Sequence, residues 1–172
     1  MNIKIGRAVA IGLLGVGVVA GTAVAAPKLI QSNEQLTDFT AQPTDGAHAR
    51  VIVEATDSGG THVQLYVTGL DHDAVGRTLG AHVHRGSCVE NNAAGAGSHY
   101  KHGDQAAQAT PQNEIWLDFV VQPGGTGEAD TTVAFTIPTD AAGSVVIHEL
   151  ATDPTTANGF AGARYACIPV DF

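Results

Sequence analysis

Four of the eight histidines stand where their side chains could bind one metal ion together. His82 and His84 are two residues apart in a β-rich segment, and side chains at that spacing on a strand project from the same face. His99 follows in a glycine-rich stretch, with His102 three residues later, and His148 closes an apolar segment. Imidazole binds Cu(II) and Zn(II) well, so the pattern predicts a copper or zinc site. The alternative is that these histidines are scattered over the surface by chance.

Short β-rich segments bounded by Gly or Pro must position these histidines. Residues 62–68 alternate strictly between polar and apolar, and they follow 49–56 across a Gly-Gly turn, which predicts a β-hairpin. No window has a convincing helical period of apolar residues. Six to eight short strands predict an all-β, antiparallel sandwich or barrel. The further strands are expected at 78–84, 114–121, 131–137, 144–149 and 164–170.

One long segment, residues 85–113, interrupts this succession of strands. It is rich in Gly, Ala, Asn and Gln, and it contains His99 and His102. Loops of this length inside a compact domain are usually functional, so we expect a long metal-binding loop here.

The first residues predict export. Lys4 and Arg7 precede an apolar and glycine-rich run that ends in Ala23-Val24-Ala25. A positive start, an apolar centre and an Ala-x-Ala site are typical of a signal peptide, here residues 1–25. The alternative is a membrane anchor. Residues 26–47 are polar and mixed and predict a flexible arm with one weak strand near 36–40, followed by one domain over residues 48–172.

The net charge limits the kinds of partner that the protein could bind, and the cysteines indicate its cellular compartment. Removal of residues 1–25 takes away two cationic residues and no acidic one, so the formal net charge falls from −9 to −11. Such an acidic balance argues against nucleic acid as a partner. Cys88 and Cys167 in an exported protein predict one disulfide, with a free reactive thiol as the alternative. We therefore expect a secreted or extracytoplasmic protein without a stable membrane span after cleavage, and no segment marks an oligomeric interface.

Four segments together resemble copper/zinc superoxide dismutases. They are GAHVHRGSC at 80–88, GSHY at 97–100, VVIHE at 145–149 and GARYAC at 162–167, and the resemblance runs from about residue 51 to residue 170. Their order, their spacing and the Arg-x-x-Cys ending make the combination specific. The resemblance implies a Greek-key β-sandwich with the disulfide Cys88–Cys167.

The resemblance also assigns roles to individual residues. It implies copper ligands at His82, His84, His99 and His148, and it places Arg164 beside the open copper position. Copper would then cycle between Cu(II) and Cu(I) and disproportionate superoxide to O2 and H2O2. A fixed guanidinium would attract and orient the superoxide anion. His99 would release Cu(I), take up a proton and deliver it.

The zinc subsite departs from the family pattern. In the family the counterpart of His99 bridges copper and zinc, and two more histidines and an aspartate complete the zinc site. Here His102 and Asp104 are the only nearby candidates, and a closed four-ligand zinc site cannot be assembled from this loop. The sequence therefore resembles a copper-only variant, with zinc binding left as an open alternative. A carboxylate would then orient His99, either Glu114 or Asp104.

Three functions are compatible with these residues. The first is an extracytoplasmic copper-dependent superoxide dismutase, with superoxide as its substrate. The second is a copper-binding or copper-buffering protein on the same scaffold, with little turnover. The third is a structural sandwich that has lost its metal. A buffer needs neither Arg164 nor an open coordination position, so Arg164 favours the enzyme.

Overall fold

Side-chain alternation along the strands produces two facing sheets. The computed structural model describes residues 29–40 and 43–172, and the predicted signal peptide lies outside them. In these residues no helix is long and apolar enough to cross a membrane. The strands are β1 Leu29–Gln35, β2 Thr37–Asp38, β3 His48–Ala55, β4 Thr61–Thr68, β5 Thr78–Leu79, β6 Ala81–His84, β7 Phe119–Val120, β8 Thr126–Val133, β9 Ser144–His148 and β10 Arg164–Pro169.

All strand pairs are antiparallel. One sheet has the order β1-β3-β4-β8, the second has the order β2-β10-β9-β6, and β5 pairs with β7. The alternation predicted for 62–68 is observed, because Val63, Leu65 and Val67 are buried. They belong to the same core as Val145 and Ile147 of the second sheet. The predicted all-β, Greek-key sandwich is confirmed.

The predicted disulfide is also present. Cys88 and Cys167 are joined, with their Cα atoms 5.9 Å apart. Cys167 packs with Phe39, Ala96 and Val146 in a small apolar cluster separate from the main core. The disulfide therefore fixes the long loop after β6 to strand β10.

The arm predicted as flexible over residues 26–47 is structured in its described part. β1 pairs with β3 along its whole length, and β2 pairs with β10. Leu36 belongs to the main core and Phe39 to the second cluster. The prediction missed β1 because an edge strand with mostly exposed side chains needs no apolar alternation.

Two other predicted strands differ from the observed ones. The strand expected at 131–137 is β8, which starts five residues earlier, at Thr126, and is largely polar. The strand expected at 114–121 forms a regular ladder only at β7. The rest of it follows β6 through separate hydrogen bonds, such as Leu117 N–H to the carbonyl of Ala81 at 2.7 Å. This path lays the segment along the histidine-bearing strand.

Candidate metal centre

Strand alternation places three histidines on the outer face of the second sheet. On β6 and β9 the residues Val83 and Ile147 point into the main core. Because side chains alternate, His82, His84 and His148 point to the opposite face. The two strands are neighbours, with Ala81 opposite Ile147. His82 and His84 on β6 therefore lie beside His148 on the neighbouring strand β9.

The fourth histidine comes from the long loop. His99 forms an isolated antiparallel bridge with His84. Hydrogen bonds on either side hold the loop there, from Arg85 N–H to Ser98 O at 3.0 Å and from Tyr100 N–H to Val83 O at 2.8 Å. The loop therefore folds back beside β6 and brings His99 over its outer face.

The four imidazoles form one compact cluster. Each offers a ring nitrogen, and these four atoms lie within 4.8 Å of one another. The Nε2 atoms of His84 and His148 are 3.2 Å apart, and the ring centroids of His82 and His99 are 4.0 Å apart. His82, His84 and His148 are buried, whereas His99 is partly exposed. The structure thus brings together the four residues predicted as copper ligands.

Burial keeps the imidazoles of His82, His84 and His148 neutral. It lowers the pKa of His84 to about 2 and that of His148 to about 3, and it lowers the pKa of His82 well below its usual range. The neighbouring histidines, His99 first, and Arg164 lower these pKa values further. A neutral imidazole has a free lone pair, which is the form that binds a metal.

The hydrogen bonds of the cluster fit a metal ion at its centre. His84 Nδ1 is engaged by the carbonyl of Gly97 at 3.2 Å, and the Nδ1 of His99 is engaged by a carboxylate. The Nδ1 atoms of His82 and His148 are buried without a hydrogen-bond partner in the described residues. Buried polar atoms rarely lack partners, and an ion would supply one at Nδ1 of His82, because the Nε2 of that ring is engaged by Thr152. Four imidazole donors suit copper or zinc.

The carboxylate on His99 belongs to Glu114. Its Oε2 atom lies 3.0 Å from His99 Nδ1 and accepts a hydrogen bond from Trp116 Nε1 at 2.8 Å. Glu114 is only 1% exposed. Of the two carboxylates that the sequence offered for this place, the structure puts Glu114 on His99 and directs Asp104 elsewhere.

The sequence did not predict a second chain of contacts, which begins at His82. Its Nε2 atom lies 2.7 Å from Thr152 Oγ1, and that hydroxyl donates to Asp118 Oδ1 at 2.6 Å. Because the hydroxyl hydrogen is given to Asp118, Nε2–H of His82 is the donor and its Nδ1 keeps the lone pair. One signal was present, since Glu114, Trp116 and Asp118 alternate with apolar residues and share a face.

The two other zinc candidates lie outside the cluster. His102 stacks on Phe135, with ring centroids 4.5 Å apart, and Asp104 accepts a hydrogen bond from the N–H of Ala106 at 2.8 Å. Among the described residues the one group that could hold a metal is the four-histidine cluster. These contacts give His102 and Asp104 local roles in the loop.

Arg164 stands at the open edge of the cluster. It is the first residue of β10, opposite His148, where the ladder is shifted by an irregularity. Its Nη1 donates to the carbonyl of Ala93 at 2.7 Å, and partial burial lowers its pKa, which leaves it cationic at neutral pH. Arg164 and His99 line one cleft of about 220 Å³ with Ser98, Lys101, Gln105 and Asn158. A small anion entering the cleft would meet both.

Solved structures share this architecture. The chain is similar to the clock protein EA4, at 20% identity and a TM-score of 0.58, over 87% of this chain and 98% of that one. It is similar to a double mutant of a SOD-like protein from Bacillus subtilis, at 20% identity and a TM-score of 0.55, over 82% of this chain and 95% of that one. It is also similar to the Cu(II) form of Candida albicans superoxide dismutase 5, at 17% identity and a TM-score of 0.50, over 84% of this chain and 91% of that one.

These likenesses define the fold as that of superoxide dismutase-like proteins. No protein-family profile matches the sequence, and no curated protein sequence matches it. The predicted fold family is therefore confirmed by structure, at identities near 20%. The four-histidine group in this fold is a candidate metal site.

Proposed function

We propose that the protein is an extracytoplasmic superoxide dismutase that binds one copper ion and no zinc. The convergence of four imidazoles beside the Arg164 cleft carries this proposal. His82, His84, His99 and His148 would hold the ion. The disulfide supports an oxidising compartment outside the cytoplasm.

In this proposal Arg164, His99 and Glu114 each have a separate role. Bound copper would supply the one-electron cycle, in which one superoxide is oxidised to O2 and a second, with two protons, is reduced to H2O2. Arg164 binds and orients the anion in the cleft, where its fixed charge offsets the acidic remainder of the protein. His99 is the ligand nearest solvent, so its Nε2 is placed to hold a proton and pass it on. Glu114 keeps the ring of His99 aligned.

The first experiment counts metals and measures superoxide loss on the same sample. The protein is produced with its disulfide formed and is offered copper and zinc together. We expect one copper per chain, no zinc and rapid superoxide loss. His148→Ala should lose both copper and activity, whereas the matched control His72→Ala, in an exposed turn, should keep both.

A second variant tests the role of the arginine. Arg164→Ala should keep its copper and lose roughly ten-fold or more in superoxide reaction rate, because the local positive charge is gone. Arg50→Ala removes the same charge from the other sheet and serves as the control. Unchanged turnover in Arg164→Ala would contradict the orienting role. Tight copper binding without turnover in the unaltered protein would leave copper buffering as the function.

A further inference from the structure

Lys101 is a buried cation that the ligand set does not use. It is 8% exposed, and its ammonium group donates to the carbonyls of Ala107 at 2.6 Å and Ala157 at 3.3 Å. Burying an ammonium group is costly unless it is well partnered. The carbonyls of Ala107 and Ala157 therefore hold the ammonium group of Lys101 in place, and the ammonium group holds these two backbone segments in place.

The two carbonyls belong to the two loops that frame the cleft. Ala107 lies in the loop that carries His99, and Ala157 lies in the loop between β9 and β10. Two further hydrogen bonds join these loops, from Ala109 N–H to the carbonyl of Ala157 at 2.9 Å and from Gln108 Nε2 to the carbonyl of Pro154 at 3.4 Å. Lys101 is thus a tether between the loops, placed two residues after a metal-binding histidine.

The same ammonium group faces Glu114. Its Nζ lies 3.9 Å from Oε1 of that carboxylate, which has no hydrogen-bond partner among the described residues. The other oxygen of Glu114 is committed to His99 and Trp116. The order of groups outward from the cluster is therefore imidazole, carboxylate, ammonium.

We propose that Lys101 is a positioning residue that acts on His99 through Glu114. The positive charge beyond His99 is that of Lys101, acting through Glu114, and it also ties the two loops together. The loop tether needs no copper, whereas the effect on His99 rests on the proposed function.

Two substitutions separate the tether from the charge. Lys101→Met removes both at similar length, and Lys101→Gln keeps hydrogen-bond donors but removes the charge. Arg50→Met, which removes one positive charge from the other sheet, is the control. Hydrogen exchange of the metal-free protein reports the tether, because local opening frees amides to exchange. The EPR spectrum of the Cu(II) form reports the alignment of His99.

We expect amides in 103–113 and 153–160 to exchange about ten-fold faster in Lys101→Met and near the original rate in Lys101→Gln. Both variants should show an altered Cu(II) EPR spectrum and a roughly ten-fold lower rate of superoxide loss, with copper content retained. In a protein that already carries Glu114→Gln, neither substitution of Lys101 should change the EPR spectrum further, because Lys101 acts through Glu114.

Original exchange rates in Lys101→Met would overturn the tether, and an original EPR spectrum in both variants would overturn the role on His99. If Lys101→Met does not fold, Lys101→Gln alone still decides the second point. Neither measurement needs turnover. An inactive but copper-loaded parent protein would therefore contradict the proposed dismutase and leave the test of Lys101 intact.

Discussion

Acid should destabilise the metal-free protein through its buried histidines. His82, His84 and His148 have pKa values lowered by burial, whereas an unfolded histidine titrates near 6.5. The unfolded state therefore binds more protons below pH 6.5, and the free energy of unfolding must fall as the pH falls. The loss continues until the folded pKa values are reached, at about 2 and about 3 for His84 and His148.

The size of the effect follows from proton linkage. Between pH 7.5 and pH 5.5, a histidine that stays neutral in the folded state costs about 1.4 kcal/mol of stability. Three such histidines cost about 4 kcal/mol, a large part of the 5–15 kcal/mol that is typical of a domain. The value is an upper bound, because any protonation of the folded cluster reduces it.

Denaturant unfolding at the two pH values, with a chelator present and the disulfide intact, measures this loss. His148→Gln removes one of the three groups, so its loss should be smaller by about 1.4 kcal/mol. His72→Gln, in an exposed turn outside the cluster, should keep the full loss. The reasoning is refuted if the unaltered protein is equally stable at both pH values, or if His148→Gln and His72→Gln behave alike.

Three further changes have defined outcomes. Thr152→Val breaks the contact to His82, so we expect copper affinity to fall by about ten-fold in a competition titration, and unchanged affinity would remove this contact from the site. His62 has a raised pKa, chiefly through a hydrogen bond to Asp130, so its contribution is present below pH 6.5 and disappears above the raised pKa. His62→Gln should therefore lower stability by roughly 0.2–1 kcal/mol at pH 5 and less at pH 9, which thermal unfolding at both pH values tests. Replacing both disulfide cysteines by Ser opens a 79-residue separation and should cost about 4 to 5 kcal/mol in denaturant unfolding, whereas a loss under 1 kcal/mol would contradict the loop-entropy argument.

The part of the histidine cluster that lies on strands could be predicted because strand periodicity is a local property. His82 and His84 share a face in any strand that contains them, and His148 ends an apolar run that had to be a strand. The apolar residues between them fixed which face was the core. The sequence pattern did not show that these two strands are neighbours in the sheet, and the structure supplies this fact.

The rest of the site depends on loop paths, which leave no periodic signal. Lys101 and Thr152 are ordinary polar loop residues in the sequence, and only the folded loops bring them to Glu114 and His82. For the same reason the sequence offered Glu114 as the carboxylate on His99 and could not exclude Asp104 as its rival. The first five residues of strand β8 escaped prediction because their polar side chains are held in place by pairing with β4 rather than by burial.

The wide separation of the histidines along the chain also has a kinetic consequence. His84 and His148 are 64 residues apart, and they meet only after β6 and β9 have paired. Before that, the chain offers a metal ion at most the three histidines of β6 and its loop, His82, His84 and His99, because the backbone around His99 is held against β6 alone. The non-local pairing that adds His148 forms late and slowly. Capture of copper by all four imidazoles would therefore mark the completion of folding, and a chain stalled before β9 docks would release the metal to competitors.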